Sequence, residues 1–135
     1  MNGSVSVSIR IRPQNDNEVK DICVKADDNK SIKYYQNEKS YETFNFDYVA
    51  NEKTTQSEVF VQIGVPLVET ALNGYNSTLF AYGQTGSGKT YTTFGNESEE
   101  EEGIIPRALK FLFEKINSEN SQSSDIQYTL SCSMY

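Results

Sequence analysis

Residues 83–90 read Gly83-Gln84-Thr85-Gly86-Ser87-Gly88-Lys89-Thr90, the G-x-x-x-x-G-K-[ST] pattern of a phosphate-binding loop. Each position has a chemical task. Glycines let the backbone curl until successive N–H groups point at phosphate oxygens, and the amides of Thr85 and Ser87 help wrap a β-phosphate between Gly86 and Gly88. The Lys89 ammonium reaches the β- and γ-phosphates, and the Thr90 hydroxyl is a hard oxygen ligand suited to Mg²⁺.

Such a loop works only between a strand and a helix. Upstream, Ser77-Thr78-Leu79-Phe80-Ala81-Tyr82 is an apolar, β-prone run that reads as a buried central strand. Downstream, residues 90–94 can open a helix whose N-terminal amides and dipole would face the phosphates. The order strand, loop, helix predicts an α/β fold of the P-loop NTPase type, a central sheet flanked by helices.

The remaining pattern supports that class. Val5, Val7, Ile9 and Ile11 alternate with polar residues in a strand that Pro13 stops. Short strands are expected at 22–24, 31–35 and 41–46, with a polar connection over 16–21 and a turn at 27–30. Thr55-Gln56-Ser57-Glu58 reads as a capping box opening a helix to about Asn73, with Gly74 beyond its end and a kink or restart at Pro66. A second helix follows Pro106; Ala108, Leu109, Leu112, Phe113 and Ile116 would form the face that packs on a sheet. Residues 118–125 read as a polar loop. Ile126, Tyr128, Leu130, Cys132 and Met134 then alternate in a strand that runs into the last residue with no closing turn, as if a domain were cut.

Bulk properties exclude several classes. A chain of 135 residues carries a net charge of −7, the wrong sign for gripping nucleic acid. Histidine is absent, which removes His-based metal sites and Ser/Cys–His nucleophile pairs. Cys23 and Cys132 form no CxxC and read as reduced thiols. The N-terminus lacks a signal-peptide core and a myristoylation glycine, and no apolar run reaches membrane-spanning length, so no membrane partner is expected. The sequons at Asn2, Asn76 and Asn96 carry no weight without a secretion signal.

A hydrolytic apparatus is not evident. P-loop enzymes hold Mg²⁺ with a second acidic residue at the end of an apolar strand. Beyond Thr90 the only aspartate is Asp125, which follows a polar stretch; Asp47 follows Phe44-Asn45-Phe46 but precedes the loop. The residues form a phosphate cradle, and catalytic residues are assigned to none of them.

The flanks of the cradle narrow the field. The run from Gly74 through Thr90 closely resembles the kinesin motor-domain signature GYNxTIFAYGQTGSGKT. Arg10-Ile11-Arg12-Pro13 resembles the RxRP segment of that family, and Phe44-Asn45-Phe46-Asp47-Tyr48-Val49 its FxFDxVF block. Gln56-Ser57-Glu58-Val59-Phe60 with Pro66-Leu67-Val68 is similar to the helix that follows, and Gly103-Ile104-Ile105-Pro106-Arg107 to its GIIPR turn.

The resemblance implies the N-terminal part of a kinesin motor domain over residues 1–135, ending before the switch regions, the microtubule-binding helix and the neck. It implies ATP and ADP with Mg²⁺ as ligands, microtubules (tubulin) as partner through the part not in this chain, and a cytoplasmic, cytoskeletal location. Oligomeric state would be set by a stalk. It also implies that the segment alone binds nucleotide weakly and does not hydrolyse it. Arg10, Arg12 and Pro13 would flank the adenine, and Tyr91 would stack on it where many kinesins have His. Read without the family, Arg10 and Arg12 are two solvated charges on an exposed strand face. Thr93 stands where kinesins usually carry Met, and Ser133 where Glu is expected. The acidic run 97–102 falls at the loop that interrupts the helix after the P-loop; it reads as a solvated charge run turned away from the acidic microtubule. Two alternatives remain: an unrelated P-loop nucleotide-binding protein, and a non-catalytic kinesin-like interaction module.

Overall fold

The computed structural model describes residues 5–15, 18, 22–37, 40–122, 128–131 and 133. Strand β1 (Ser8–Arg10) pairs in parallel with β5 (Tyr48–Ala50), Ile9 opposite Val49. Beyond the ladder the pairing is extended at both ends. Ile11 N–H donates to the Ala50 carbonyl at 2.8 Å, and Asp47 both donates its N–H to Val7 and accepts the Val7 N–H on its carboxylate at 2.7 Å. Asp47 therefore serves the strand pair. Strand β5 had no sequence expectation: three residues after an Asp are too few to show a period.

Strands β2 (Val24–Ala26), β3 (Ser31–Asn37) and β4 (Ser40–Asn45) form a separate antiparallel sheet in the order β2-β3-β4. These match the three short strands expected, with β2 displaced two residues along the chain. Its turn is fixed by Asp28, whose carboxylate accepts from the Lys30 N–H (2.7 Å) and the buried Ser31 hydroxyl (2.9 Å) and is held below the ordinary carboxylate range by them.

The capping box forms. Thr55 Oγ1 accepts the Glu58 N–H at 3.2 Å, and the Glu58 carboxylate accepts the Thr55 N–H at 2.8 Å, opening α1 (Gln56–Val59). The helix continues through a π turn, Phe60–Gly64, into α2 (Val65–Leu72). Pro66 explains the irregularity. It has no N–H to continue the i→i−4 ladder, and the preceding Val65 N–H reaches back five residues to the Phe60 carbonyl. The expected restart at Pro66 is this π turn.

Because the Thr55 bonds hold Glu58 below the usual carboxylate range, the cap contributes fully above the unfolded pKa of about 4.3. That contribution is lost as pH falls through the depressed folded value. Urea midpoints of wild type and Glu58→Gln should differ at neutral pH and converge on acidification. Thr55→Ala should cost about 1 kcal/mol near neutrality.

Helix α3 (Lys89–Thr93) follows the P-loop, and a 3-10 turn (Glu99–Glu101) precedes α4 (Ile104–Gln122). Three expectations are corrected here. First, residues 77–82 form no regular element and belong to no sheet, and Phe80 and Tyr82 are 87% and 99% exposed. A β-strand takes its hydrogen bonds from neighbouring strands, and among the described residues no strand pairs with this run. Second, α4 extends through Gln122, so residues 118–122 are helix where a polar loop is expected; residues 123–127 lie outside the described ones. Third, α4 packs on the π turn and α2, not on a sheet, with Ile104 and Ile116 buried but Leu109 and Phe113 half exposed. Of the final strand, 128–131 and 133 form no ladder, and its other residues lie outside the described ones.

The core sits where these elements meet. Ala50, Val59, Phe60 and Ile104 are its buried centre, with Tyr48, Ile63, Val65, Ala108 and Phe111 packed around them. Val59 is 1% exposed. The Phe60 and Phe111 rings meet edge to face at 6.0 Å, tying the π turn to α4.

Candidate nucleotide site

The Gly83–Thr90 loop is built by its own backbone. Gly86 and Gly88 adopt φ of +81° and +98°, left-handed conformations that reverse the chain and launch α3. The Lys89 side chain folds back over the turn and donates from Nζ to the carbonyls of Gly83 (2.8 Å) and Gln84 (2.9 Å). Two of its three ammonium N–H groups thus close the loop. The Ser87 N–H, one of the amides assigned to a phosphate, donates to Gln84 at a long 3.2 Å. Thr85 and Thr90 are exposed on the loop surface. Helix α3 has five residues, so its dipole is that of little more than one turn.

Beside α3 stands a second cluster. Arg10 Nη1 donates to Gln56 Oε1 (2.7 Å) and to Thr92 Oγ1 (3.1 Å), and its guanidinium carbon lies 5.0 Å from the centre of the Tyr91 ring. Burial lowers the pKa of Arg10, partly offset by Tyr91 and Tyr48, yet a guanidinium remains charged throughout the accessible range. So Arg10 is not a solvated strand charge; it stands with Tyr91. Arg12 and Pro13 make other contacts. The Arg12 guanidinium forms an ion pair with Glu18 and bonds the Pro13 carbonyl at 2.9 Å, closing the loop after β1 on itself. That partnership raises the pKa of Arg12 and lowers that of Glu18.

The acidic run is more than a solvated stretch. Its carboxylates are mostly exposed, but its backbone is folded tightly: Asn96 N–H bonds Glu101 (3.0 Å) and Gly103 N–H bonds Phe94 (2.9 Å). Arg107 spans the turn, donating to the carbonyls of Glu102 (2.8 Å), Glu99 (2.8 Å) and Glu100 (3.1 Å). Lys110 holds the Glu102 carboxylate with two 2.8 Å contacts, which raise the lysine pKa. Nothing in the charge pattern signals Arg107 as a backbone clamp. Cleavage by an endoproteinase specific for Glu should accordingly be slow within 99–102 and accelerate in Arg107→Ala.

Gln56 is another residue that sequence reasoning missed. It is 3% exposed, accepts from Arg10, and donates from Nε2 to the carbonyls of Tyr91 (2.7 Å) and Glu101 (3.0 Å). A signal existed, since Gln56 shares a helix face with Val59 and Phe60 and is the one polar member of it.

The chemistry of the cradle fits Mg²⁺. That ion takes one or two protein oxygens and completes its shell with water and phosphate; the Thr90 hydroxyl would supply one of them, and the second, acidic ligand is assigned to no residue here. No group of three or more His, Cys, Asp or Glu residues able to hold a metal occurs among the described residues. No helix among them is long and apolar enough to cross a membrane.

Comparison with known proteins gives one consistent family. A family model described as kinesin motor domain matches residues 10–135. Kinesin-like protein KIN-12F of Oryza sativa subsp. japonica is 40% identical over 98% of this chain, which spans 5% of that protein. Kinesin-like protein KIF15 of Homo sapiens is 37% identical over 89% of this chain, which spans 9% of it. A solved structure described as that of a fast kinesin superposes with a TM-score of 0.78 at 37% identity, covering 85% of this chain and 34% of that one.

Proposed function

The chain belongs to the kinesin motor-domain family, and on that premise we propose that Gly83–Thr90 is the ATP-binding loop of a microtubule-dependent motor. Residues 1–135 then form the N-terminal part of the motor domain. Lys89 neutralises the β- and γ-phosphates, and Gly83, Gln84, Thr85, Gly86, Ser87 and Gly88 supply the loop that wraps them. Thr90 holds Mg²⁺, and Arg10, Arg12 and Pro13 flank the adenine, on which Tyr91 stacks. The observation that carries this reading is the juxtaposition of two parts. A glycine-turned loop carries Lys89 over its own carbonyls, and an Arg10–Tyr91 pair lies directly on the helix the loop launches.

Taken by itself the segment binds ATP or ADP weakly and does not hydrolyse it, a reading supported by the lack of an acidic residue at the end of an apolar strand after Thr90 in the sequence. Microtubule contact and force belong to the rest of the motor, in a cytoplasmic, cytoskeletal setting. The acidic turn faces away from the track, whose surface is also acidic. Exchanging Glu99 through Glu102 for Ser in an intact motor should leave microtubule affinity and its salt dependence nearly unchanged.

Metal removal tests the site itself. Chelating Mg²⁺ should weaken ATP binding by about ten-fold, and Thr90→Val should abolish that difference while retaining the metal-free affinity. Equal Mg²⁺ dependence in wild type and Thr90→Val would remove Thr90 from the metal site.

A further inference from the structure

One buried amide ties three separate parts of the molecule together. The Gln56 Oε1 accepts the Arg10 guanidinium of β1 at 2.7 Å. Its Nε2 donates to the Tyr91 carbonyl of α3 at 2.7 Å and to the Glu101 carbonyl of the acidic turn at 3.0 Å. Gln56 sits at the start of α1, where the capping box fixes the backbone, so the amide projects from a rigid base.

We propose that Gln56 is a positioning residue that holds Arg10 against Tyr91 as a preformed base platform and fastens the acidic turn to that platform. The proposal rests on the nucleotide reading given above. Its chemistry demands one acceptor and two donors at the same reach, which only a carboxamide supplies. Glutamate would keep the acceptor for Arg10 but present oxygen to two carbonyls. Methionine would leave a half-buried guanidinium without that acceptor and both carbonyls without a donor. The Gln56 bonds reach Arg10, Tyr91 and Glu101, whereas the Lys89 ammonium is held by the Gly83 and Gln84 carbonyls. Gln56 therefore acts on affinity through the base and not through the phosphates.

The test compares MgATP with inorganic tripolyphosphate, a ligand without a base, on the full chain as wild type, Gln56→Met and Gln56→Glu. Amide hydrogen exchange over 97–102 is followed in each. Gln56→Met should lower ATP affinity about ten-fold, leave tripolyphosphate within about two-fold, and speed exchange in the turn. Gln56→Glu should keep the ratio of ATP to tripolyphosphate affinity within about three-fold of wild type while speeding exchange as Met does. Equal losses for both ligands would show a general structural role and overturn the proposal, as would ATP affinity unchanged in Gln56→Met. If Gln56→Met does not fold, Gln56→Glu decides: a retained ratio with faster exchange supports the proposal, and a lost ratio or unchanged exchange overturns it. A wild type that binds neither ligand overturns the nucleotide reading and this proposal with it. Lys89-dependent binding of both ligands, with Gln56→Met behaving as wild type, overturns this proposal alone.

Discussion

Lys89→Ala should lower the affinity of the chain for ATP by about 100-fold or more, while costing the fold no more than about 1 kcal/mol. The two effects separate because the Lys89 ammonium does two jobs of unequal weight. In the loop it donates to the Gly83 and Gln84 carbonyls at 2.8 and 2.9 Å, and both groups can turn to water when it is removed. In the loop its acceptors are neutral carbonyls. Against a triphosphate it is a compact charge beside several anionic oxygens, so both partners carry charge and Coulomb attraction adds to the hydrogen bonds. Lys89→Arg should not restore binding, because a planar fork cannot replace a point charge in a loop this tight. Titration of a fluorescent ATP analogue reads the first effect and a urea midpoint the second. ATP affinity unchanged in Lys89→Ala would remove Lys89 from the site.

The largest effect on stability should come from Gly95→Ala, and the contrast with Gly86→Ala is what tests the reason. Both glycines are left-handed, at φ of +79° and +81°. An L side chain pays about 1–2 kcal/mol for that conformation at either place. Their surroundings differ. A Cβ on Gly95 would lie 1.9 Å from the Glu101 carbonyl oxygen and 2.4 Å from the Gly103 nitrogen, both backbone atoms that cannot swing aside. A Cβ on Gly86 would meet nothing within 4 Å. Gly95→Ala must therefore part the strands of the turn, breaking the Asn96–Glu101 and Gly103–Phe94 bonds and releasing Glu101 from Gln56. A loss of about 3 kcal/mol or more is expected for Gly95→Ala, and of about 1–2 kcal/mol for Gly86→Ala. Equal losses in urea unfolding would mean that the close approach at Gly95 carries no energy.

Which features the sequence revealed follows from how far apart their parts lie. The glycine turn at 86–88, the Thr55–Glu58 capping box, the break at Pro66 and the Asp28 turn each depend on residues within a few positions, and each was legible. Strand 77–82 was read from its apolar run alone. Whether such a run becomes a strand depends on distant partners, and among the described residues none pairs with it. The same reason explains the α4 face. Helical spacing marked Leu109 and Phe113 as apolar, but which side is covered was decided by the π turn and α2. For the site, the family resemblance placed Arg10 and Tyr91 near one another, and the structure brings them together. Arg107 was missed because its partners are main-chain carbonyls, which leave no mark on a residue pattern, whereas Gln56 left one as the lone polar residue on an apolar helix face.

The most direct measurement is a calorimetric titration of the 135-residue chain with MgATP, run beside Lys89→Ala and paired with an assay of phosphate release. Urea unfolding of the same samples establishes that each is cooperatively folded. The account predicts saturable binding by wild type, its loss in Lys89→Ala, and no phosphate release by either. A folded wild type that binds no ATP, or a Lys89→Ala variant that binds it equally well, would contradict the assignment of Gly83–Thr90 as the nucleotide site.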